Sequence, residues 1–409
     1  MRAVWPAPDP EALGESARVE EPIPPTSPFG VLLVVGLLLS IGVLYSWGAF
    51  IFVVALVVCI FLHELGHYLA AKRAGMKVTQ FFLFFGPRLW SFRRGETEYG
   101  IRALPLGAFV KVPGMHNMDA DVAAGDEART FRQAPFHSRF LMAAAGSCMH
   151  FLIALVLLFV SLVFVGRPAS ENDWTIGAVE PGLAAASAGL QTGDRIVAID
   201  GTRFVTYEAV VLFIRSHPAT AASFTVLRNG SEVVLPATIG TNPDKCLQGV
   251  GLLGIRPDVP ALSPVNPVRS VPQSFEEFGR TVGLSVQALG QIFSPSGLGS
   301  YGKAISSGCN TDKRMLGPIG AAKAGAGLCS SLDGCLAILI SANIFIGIVN
   351  WFPMLPFDGG HMLVAAYEKV RSRKRRYYAD VSKLLPFTYA LVAVMLLLFL
   401  GNTYLDLRS

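Results

Sequence analysis

Long apolar blocks separated by polar stretches set the pattern of this chain. One runs from Phe29 to about Ser46, where Ser46-Trp47-Gly48 interrupts it, and a second continues from about Ala49 toward Lys72. A third extends from about Phe140 to Val165, and a fourth from about Leu336 to Leu355, broken by Pro353 and Pro356. The last, Phe387 to Leu400, is short unless Leu384 and Leu385 belong to it. Each block approaches the roughly 20 residues that carry a helix across a bilayer, so the pattern predicts about four to five transmembrane helices. The first two blocks read as two helices, the alternative being one bent or partly re-entrant segment.

The stretches between them have different periods. After Lys72 come Val78 to Pro87, Leu89 to Phe92 and Tyr99 to Val112, short runs of aromatic and β-branched residues punctuated by Gly and Pro. They predict hairpin strands within residues 73–139. The runs are too apolar for a solvated loop, which implies a small sheet held at the membrane with its backbone covered by protein. Residues 173–240 alternate β-type runs with Gly-Asp and Asn-Gly turns and predict a compact domain. Residues 241–335 read as a linker with an amphipathic helix near 267–293. Residues 1–28, rich in Pro, Glu and Ala, read as a disordered leader unlike a signal peptide. The expected organisation is thus helices in 29–72, hairpins in 73–139, a span in 140–166, the β-rich domain, the linker, a broken span in 336–368, a basic loop in 369–383 and a last span in 384–409.

Composition agrees with a polytopic membrane protein: of 409 residues, 52% are hydrophobic and 15% charged. The net charge of +5 reflects basic residues gathered in loops beside apolar blocks, and no nucleic-acid motif accompanies it. Eleven Lys or Arg lie from Lys72 to Arg139 and seven from Lys369 to Lys383. The positive-inside rule makes both loops cytoplasmic and places the β-rich domain outside, in a cell membrane. There a disulfide is possible among Cys246, Cys309, Cys329 and Cys335, with the pairing open.

The candidate chemistry sits in the second block, at Leu62-His63-Glu64-Leu65-Gly66-His67. Helical residues four apart share a face, so His63 and His67 can offer nitrogens to one metal ion, with Glu64 placed to take a proton from water. A catalytic zinc needs a third protein ligand. His63 is nine residues before Lys72, about 13 Å in from the basic flank on a helix. Asp358 in Asn350-Trp351-Phe352-Pro353-Met354-Leu355-Pro356-Phe357-Asp358-Gly359-Gly360 is the candidate, because a broken helix with a carboxylate at membrane depth makes a polar site. Asn350 can donate an amide hydrogen bond to a developing oxyanion, or cap or bridge helices. His150, about 15 Å along its own span, lies at a similar depth and is a candidate to hydrogen-bond Asp358 or a substrate carbonyl.

These motifs resemble those of the site-2 proteases, membrane-embedded zinc enzymes of regulated intramembrane proteolysis, and most closely actinobacterial members. The resemblance covers about residues 46 to 400. It includes Pro105-Leu106-Gly107 in the hairpin region and, in the central domain, Val179-Glu180-Pro181, Ala188 to Ile196 and Ile199-Asp200-Gly201, which look like a PDZ domain. It implies Zn2+ on His63, His67 and Asp358, Glu64 as general base, Asn350 assisting the tetrahedral intermediate, and a membrane-associated hairpin presenting the substrate strand. The implied fold is an α-helical polytopic membrane protein with an extracytoplasmic PDZ-like α+β domain. The implied substrate is a single-pass membrane protein, such as an anti-sigma factor, cut after a prior extracytoplasmic cleavage. Two departures stand out: the block Phe29 to Ser46 lies upstream of where many members begin, and His150 occupies a position commonly Asn. A zinc-binding scaffold or transporter with a PDZ-like tether is the competing expectation, and Glu64 argues against it.

Overall fold

A computed structural model describes residues 28–115, 122, 124–168, 174–243, 249–258, 262–307, 318–372 and 377–408. The expected leader lies outside these residues except for Pro28, as do Cys246 and Cys309. The chain divides into two compact units: residues up to Phe159 with Pro272–Gln291 and Leu316–Leu407, and Val160–Val271 with Ile292–Met315 and the C-terminal pair.

The first unit begins with α1 (Pro28–Leu44) and α2 (Trp47–Arg73), two helices separated at Tyr45-Ser46. Ser46 starts the second by accepting a hydrogen bond from the Ala49 N–H at 3.3 Å, which supplies one of the amides that a helix start leaves unpaired. Lys72 and Arg73 occupy the last turn of α2, where positive charge suits the helix dipole. The hairpin runs are limbs of two long strands, β1 (Gln80–Arg94) and β2 (Thr97–Lys111). Left-handed backbone at Phe84 and Gly86 bends β1. Gln80 to Leu83 therefore pair twice, with Glu98 to Ile101 and with Lys111 to Ala108, while Arg88 to Arg94 pair with Arg102 to Thr97. Phe82 is fully buried in this sheet, and the Arg102 guanidinium covers it and Phe109 at 4.6 and 5.1 Å. At the hairpin turn Glu96 bonds Lys72 at 2.6 Å and Arg129 at 2.7 Å. Arg129 first, then Lys72, pull its carboxyl down to about 2. Two short 3-10 turns, Ala124–Arg129 and Phe131–Gln133, lead to α3 (Phe136–Phe164).

The second unit contains β3 (Arg167–Pro168), β4 (Thr175–Val179), α4 (Ala184–Ser187), β5 (Arg195–Ile199), β6 (Thr202–Arg203), α5 (Tyr207–Ser216), β7 (Ala221–Arg228), β8 (Ser231–Thr238), β9 (Gly240–Thr241), β10 (Gly251–Leu252), β11 (Ile255–Asp258) and β12 (Leu262–Ser263). Its main sheet has the order β6-β5-β7-β8. Ala222, Phe224 and Val226 alternate inward along β7, the period of two that a one-sided sheet requires. Asn229 and Gly230, both left-handed, make the two-residue turn to β8. The folded unit runs past the expected boundary at 240. Ile239 and Leu253 belong to its core, β11 pairs with β4, and β10 with β9. These strands are two to four residues long, too short for their alternation to be read against a linker.

Beyond it come α6 (Pro267–Ile292), α7 (Pro295–Ser307), α8 (Pro318–Leu328), α9 (Leu332–Asn350), α10 (Asp358–Arg371) and α11 (Leu385–Arg408). Ser331 caps α9, and a disulfide joins Cys329 to Cys335 across the preceding corner. The last helix is 24 residues long and takes in Leu385, the condition under which the last apolar block is long enough to span. In its last turns the polar side chains of Asn402 and Thr403 are accommodated by donating back to the Leu398 and Phe399 carbonyls. Among the described residues four helical segments are long and apolar enough to cross a membrane: Trp47–Arg73, Phe136–Phe164, Leu332–Asn350 and Val381–Leu407. With 17 residues, α1 is shorter.

Candidate metal centre

The centre is assembled where three helices of the first unit meet. His63 and His67, one turn apart on α2, are both buried and turn their Nε2 atoms toward each other at 3.2 Å. The tautomer of His67 is fixed from behind, since its Nδ1 donates to the Met142 carbonyl of α3 at 2.7 Å and leaves Nε2 free as a donor of electrons. Such close approach of α3 depends on small residues. A Cβ on Gly66 would come 2.7 Å from the Ala145 carbonyl oxygen, and one on Gly146 would come 2.7 Å from His63 Nε2 and closer still to His67 Nε2.

Asp358 arrives from the other side. After α9 ends at Asn350, residues 351–357 fold back on themselves and α10 starts at Asp358. A side chain at Gly359 would overlap the Trp351 and Phe352 carbonyls, and a Cβ at Gly360 would lie 2.5 Å from the Leu355 amide nitrogen. Both positions must be glycine for this reversal to pack, and the reversal delivers the carboxylate. Asp358 Oδ2 lies 3.5 Å from His63 Nε2, and Oδ1 lies 3.4 Å from His67 Nε2. Ser147 Oγ also donates to Oδ2 at 3.5 Å.

These separations test whether a metal fits. Tetrahedral ligands bonded to zinc at about 2.0 to 2.1 Å stand roughly 3.3 Å from one another. The three donor atoms lie within 4.8 Å of one another, with nearest separations of 3.2 to 3.5 Å. Two imidazole nitrogens and a carboxylate oxygen are the donor set of a catalytic site that keeps a position open.

Glu64 is half-buried beside the histidines, within electrostatic range of His67 and Asp358, and faces the backbone of Val110 in β2. Asn350 is half-buried at the end of α9, and no hydrogen bond among the described residues joins its side chain to the three donors. His150 does reach the centre, its ring 4.9 Å from that of His63, but its hydrogen bond differs from the expected one. Nδ1 donates to Asn343 Oδ1 at 2.8 Å, while Asn343 Nδ2 donates to the Leu339 carbonyl and to Cys59 Sγ. Asp358, already facing two histidines and Ser147, is not its partner. Asn343 was missed in the sequence, although a lone amide in an apolar span was the signal, since such a group must find partners within the protein.

A His-Glu-x-x-His helix completed by an aspartate from a broken helix, within a body of membrane-length helices, defines the class of membrane-embedded metalloproteases. Residues 51–397 match the model of Peptidase family M50, and the chain belongs to that family, the site-2 proteases. It is a zinc metalloprotease and a polytopic membrane protein. It is 32% identical to the zinc metalloprotease Rip1 of Mycolicibacterium smegmatis over 86% of this chain and 95% of that one. Identity to the zinc metalloprotease Rip1 of Mycobacterium tuberculosis is 29%, over 88% of this chain and 96% of the other. The chloroplastic membrane metalloprotease ARASP of Arabidopsis thaliana is 29% identical over 79% of this chain and 71% of its own length.

Proposed function

We propose that this protein is an intramembrane endopeptidase that cuts the transmembrane segment of a single-pass membrane-anchored regulator, of the anti-sigma factor kind, after a prior cut outside the membrane. The observation that carries the reading is the convergence of His63 and His67, beside Glu64 on a helix of membrane length, with Asp358 at the start of the short helix that follows another such helix. His63, His67 and Asp358 are the ligands in this reading. Zinc held there supplies a Lewis acid that polarises a carbonyl and lowers the pKa of water to about 7. Glu64 takes the proton of the attacking water and passes one to the leaving amine, and Asn350 donates its amide toward the developing oxyanion. Glu64 lies beside the Val110 backbone of β2, so the base stands next to the sheet limb along which an extended substrate would lie. Comparison of membrane-protein fragments in cells carrying the wild type and Glu64→Gln tests this. Fragments ending inside a transmembrane segment should be present only with the wild type, and identical fragment sets would refute the proposal.

The two basic stretches put the active-site side toward the cytoplasm and the β-rich domain outside. In this reading the domain is PDZ-like and acts as a size filter, contributing no catalytic group. The register Leu262 to Pro168 brings its entry and exit together, so excising Trp174 to Asp258 leaves ends that a short linker can close. That deletion should leave cleavage of a short pre-trimmed substrate unchanged or raised. Complete loss of turnover with zinc still bound would contradict the filter.

His150 supports His63 from behind in this scheme. His150→Ala removes the ring packed on His63 and should lower turnover with zinc still bound, by up to the roughly 10- to 100-fold that loss of an outer support costs, and His150→Asn should retain most activity. Unchanged kinetics in the alanine variant would remove His150 from the machinery, and stoichiometric zinc loss would make it a direct ligand.

A further inference from the structure

The carboxylate of Asp358 sits at the start of a helix that the irregular segment 351–357 separates from α9, so its placement depends on what holds α10. Near the other end of α10, Glu368 forms an ion pair with Arg139 in the first turn of α3, and both residues are buried, at 4% and 9% exposure. The second oxygen of Glu368 accepts the Ala379 N–H at 2.6 Å, and the Arg139 guanidinium lies over the Phe131 ring at 5.9 Å. The spacing relates this pair to the centre. From Arg139 to Ser147 is eight residues, about 12 Å along a helix, and from Glu368 back to Asp358 is ten residues, about 15 Å. Two antiparallel helices are therefore joined at two levels, once by the buried charges and once where Ser147 donates to Asp358.

We propose that Arg139 and Glu368 are positioning residues for the zinc carboxylate: their ion pair fixes the register of α10 against α3, and so where Asp358 meets His63 and His67. A buried ion pair is a weak source of stability, because desolvation offsets attraction, whereas apolar replacements of similar volume often fold as well. What the pair supplies, and an apolar contact does not, is one allowed alignment. The inference rests on Asp358 being a zinc ligand.

The test is the zinc dissociation constant of the purified full chain, measured by competition with a chelator, beside its thermal midpoint. Glu368→Gln, which keeps an acceptor for Ala379 but leaves Arg139 unpaired, should bind zinc about 10- to 100-fold more weakly. The double variant Arg139→Met with Glu368→Leu removes both buried charges. It should recover the thermal midpoint and still bind zinc at least about tenfold more weakly, in the range for lost outer partners. Asp406→Asn, a destabilising change at the contact between Gly320 of α8 and α11, serves as the control and should leave zinc affinity within about twofold. Wild-type zinc affinity in the folded double variant, or an equal loss in the control, overturns the proposal. Asp358→Asn separates the underlying reading: if that variant binds zinc as the wild type does, the ligand assignment falls and the positioning role with it. If it binds weakly while the paired variants do not, the positioning role alone is wrong.

Discussion

Glu64→Gln should keep stoichiometric zinc and a wild-type thermal midpoint while turnover falls by at least about 10²- to 10⁴-fold, the range supplied by a positioned general base. The substitution preserves the shape of the side chain and its place beside the Val110 backbone. It leaves the nearest donor separations, 3.2 to 3.5 Å among His63, His67 and Asp358, untouched. What it removes is a carboxylate beside the centre that is outside the ligand set and can accept a proton. The outcome also separates the enzyme from a scaffold that merely holds zinc, for which Glu64→Gln would be silent. Measured turnover of a purified transmembrane peptide within about twofold of wild type would end the assignment of Glu64 as base.

The local parts of this site were legible in the sequence, and the parts set by tertiary contact were not. His63, Glu64 and His67 follow from helical geometry alone, because four residues make about one turn. Asp358 was legible through Pro353, Pro356 and the glycine pair, which announce a broken helix without specifying the backbone reversal that needs Gly359 and Gly360 bare. Depth could be counted in residues from the basic flank, which is why His150 was expected near His63. Its partner could not be, because the choice between Asp358 and Asn343 depends on the rotation of α3 and α9 about their axes. The hairpin runs were readable as strands from their aromatic and β-branched residues. Their double pairing was hidden, since Phe84 adopts positive φ where neither its identity nor its neighbours require it. Likewise Arg139 and Glu368 looked like ordinary charges near helix ends, and only the packing of α3 on α10 shows them buried.

Gly146→Ala should abolish tight zinc binding and lower the thermal midpoint, because overpacking between two held rings outweighs the helix propensity that alanine brings. In the helix itself alanine is favoured over glycine by about 0.8 to 1 kcal/mol, since it loses less backbone freedom on folding. At this position the methyl would stand 2.7 Å from His63 Nε2 and nearer to His67 Nε2, in the space between two donor atoms. Neither ring can yield without breaking the set. His67 is held by its Met142 hydrogen bond and His63 packs against the His150 ring. Nor can α3 retreat freely, because the Met142 carbonyl that orients His67 is on the same helix and would move with it. Zinc affinity should therefore fall by on the order of 100-fold or more, at or beyond the upper end of what losing an outer partner costs, and activity with it. Gly36→Ala, at a helix position with nothing within 4 Å, gives the propensity effect alone and should keep zinc at wild-type affinity. Zinc bound normally by the Gly146→Ala variant would refute the close approach of α3 to His63 and His67 on which the metal centre rests.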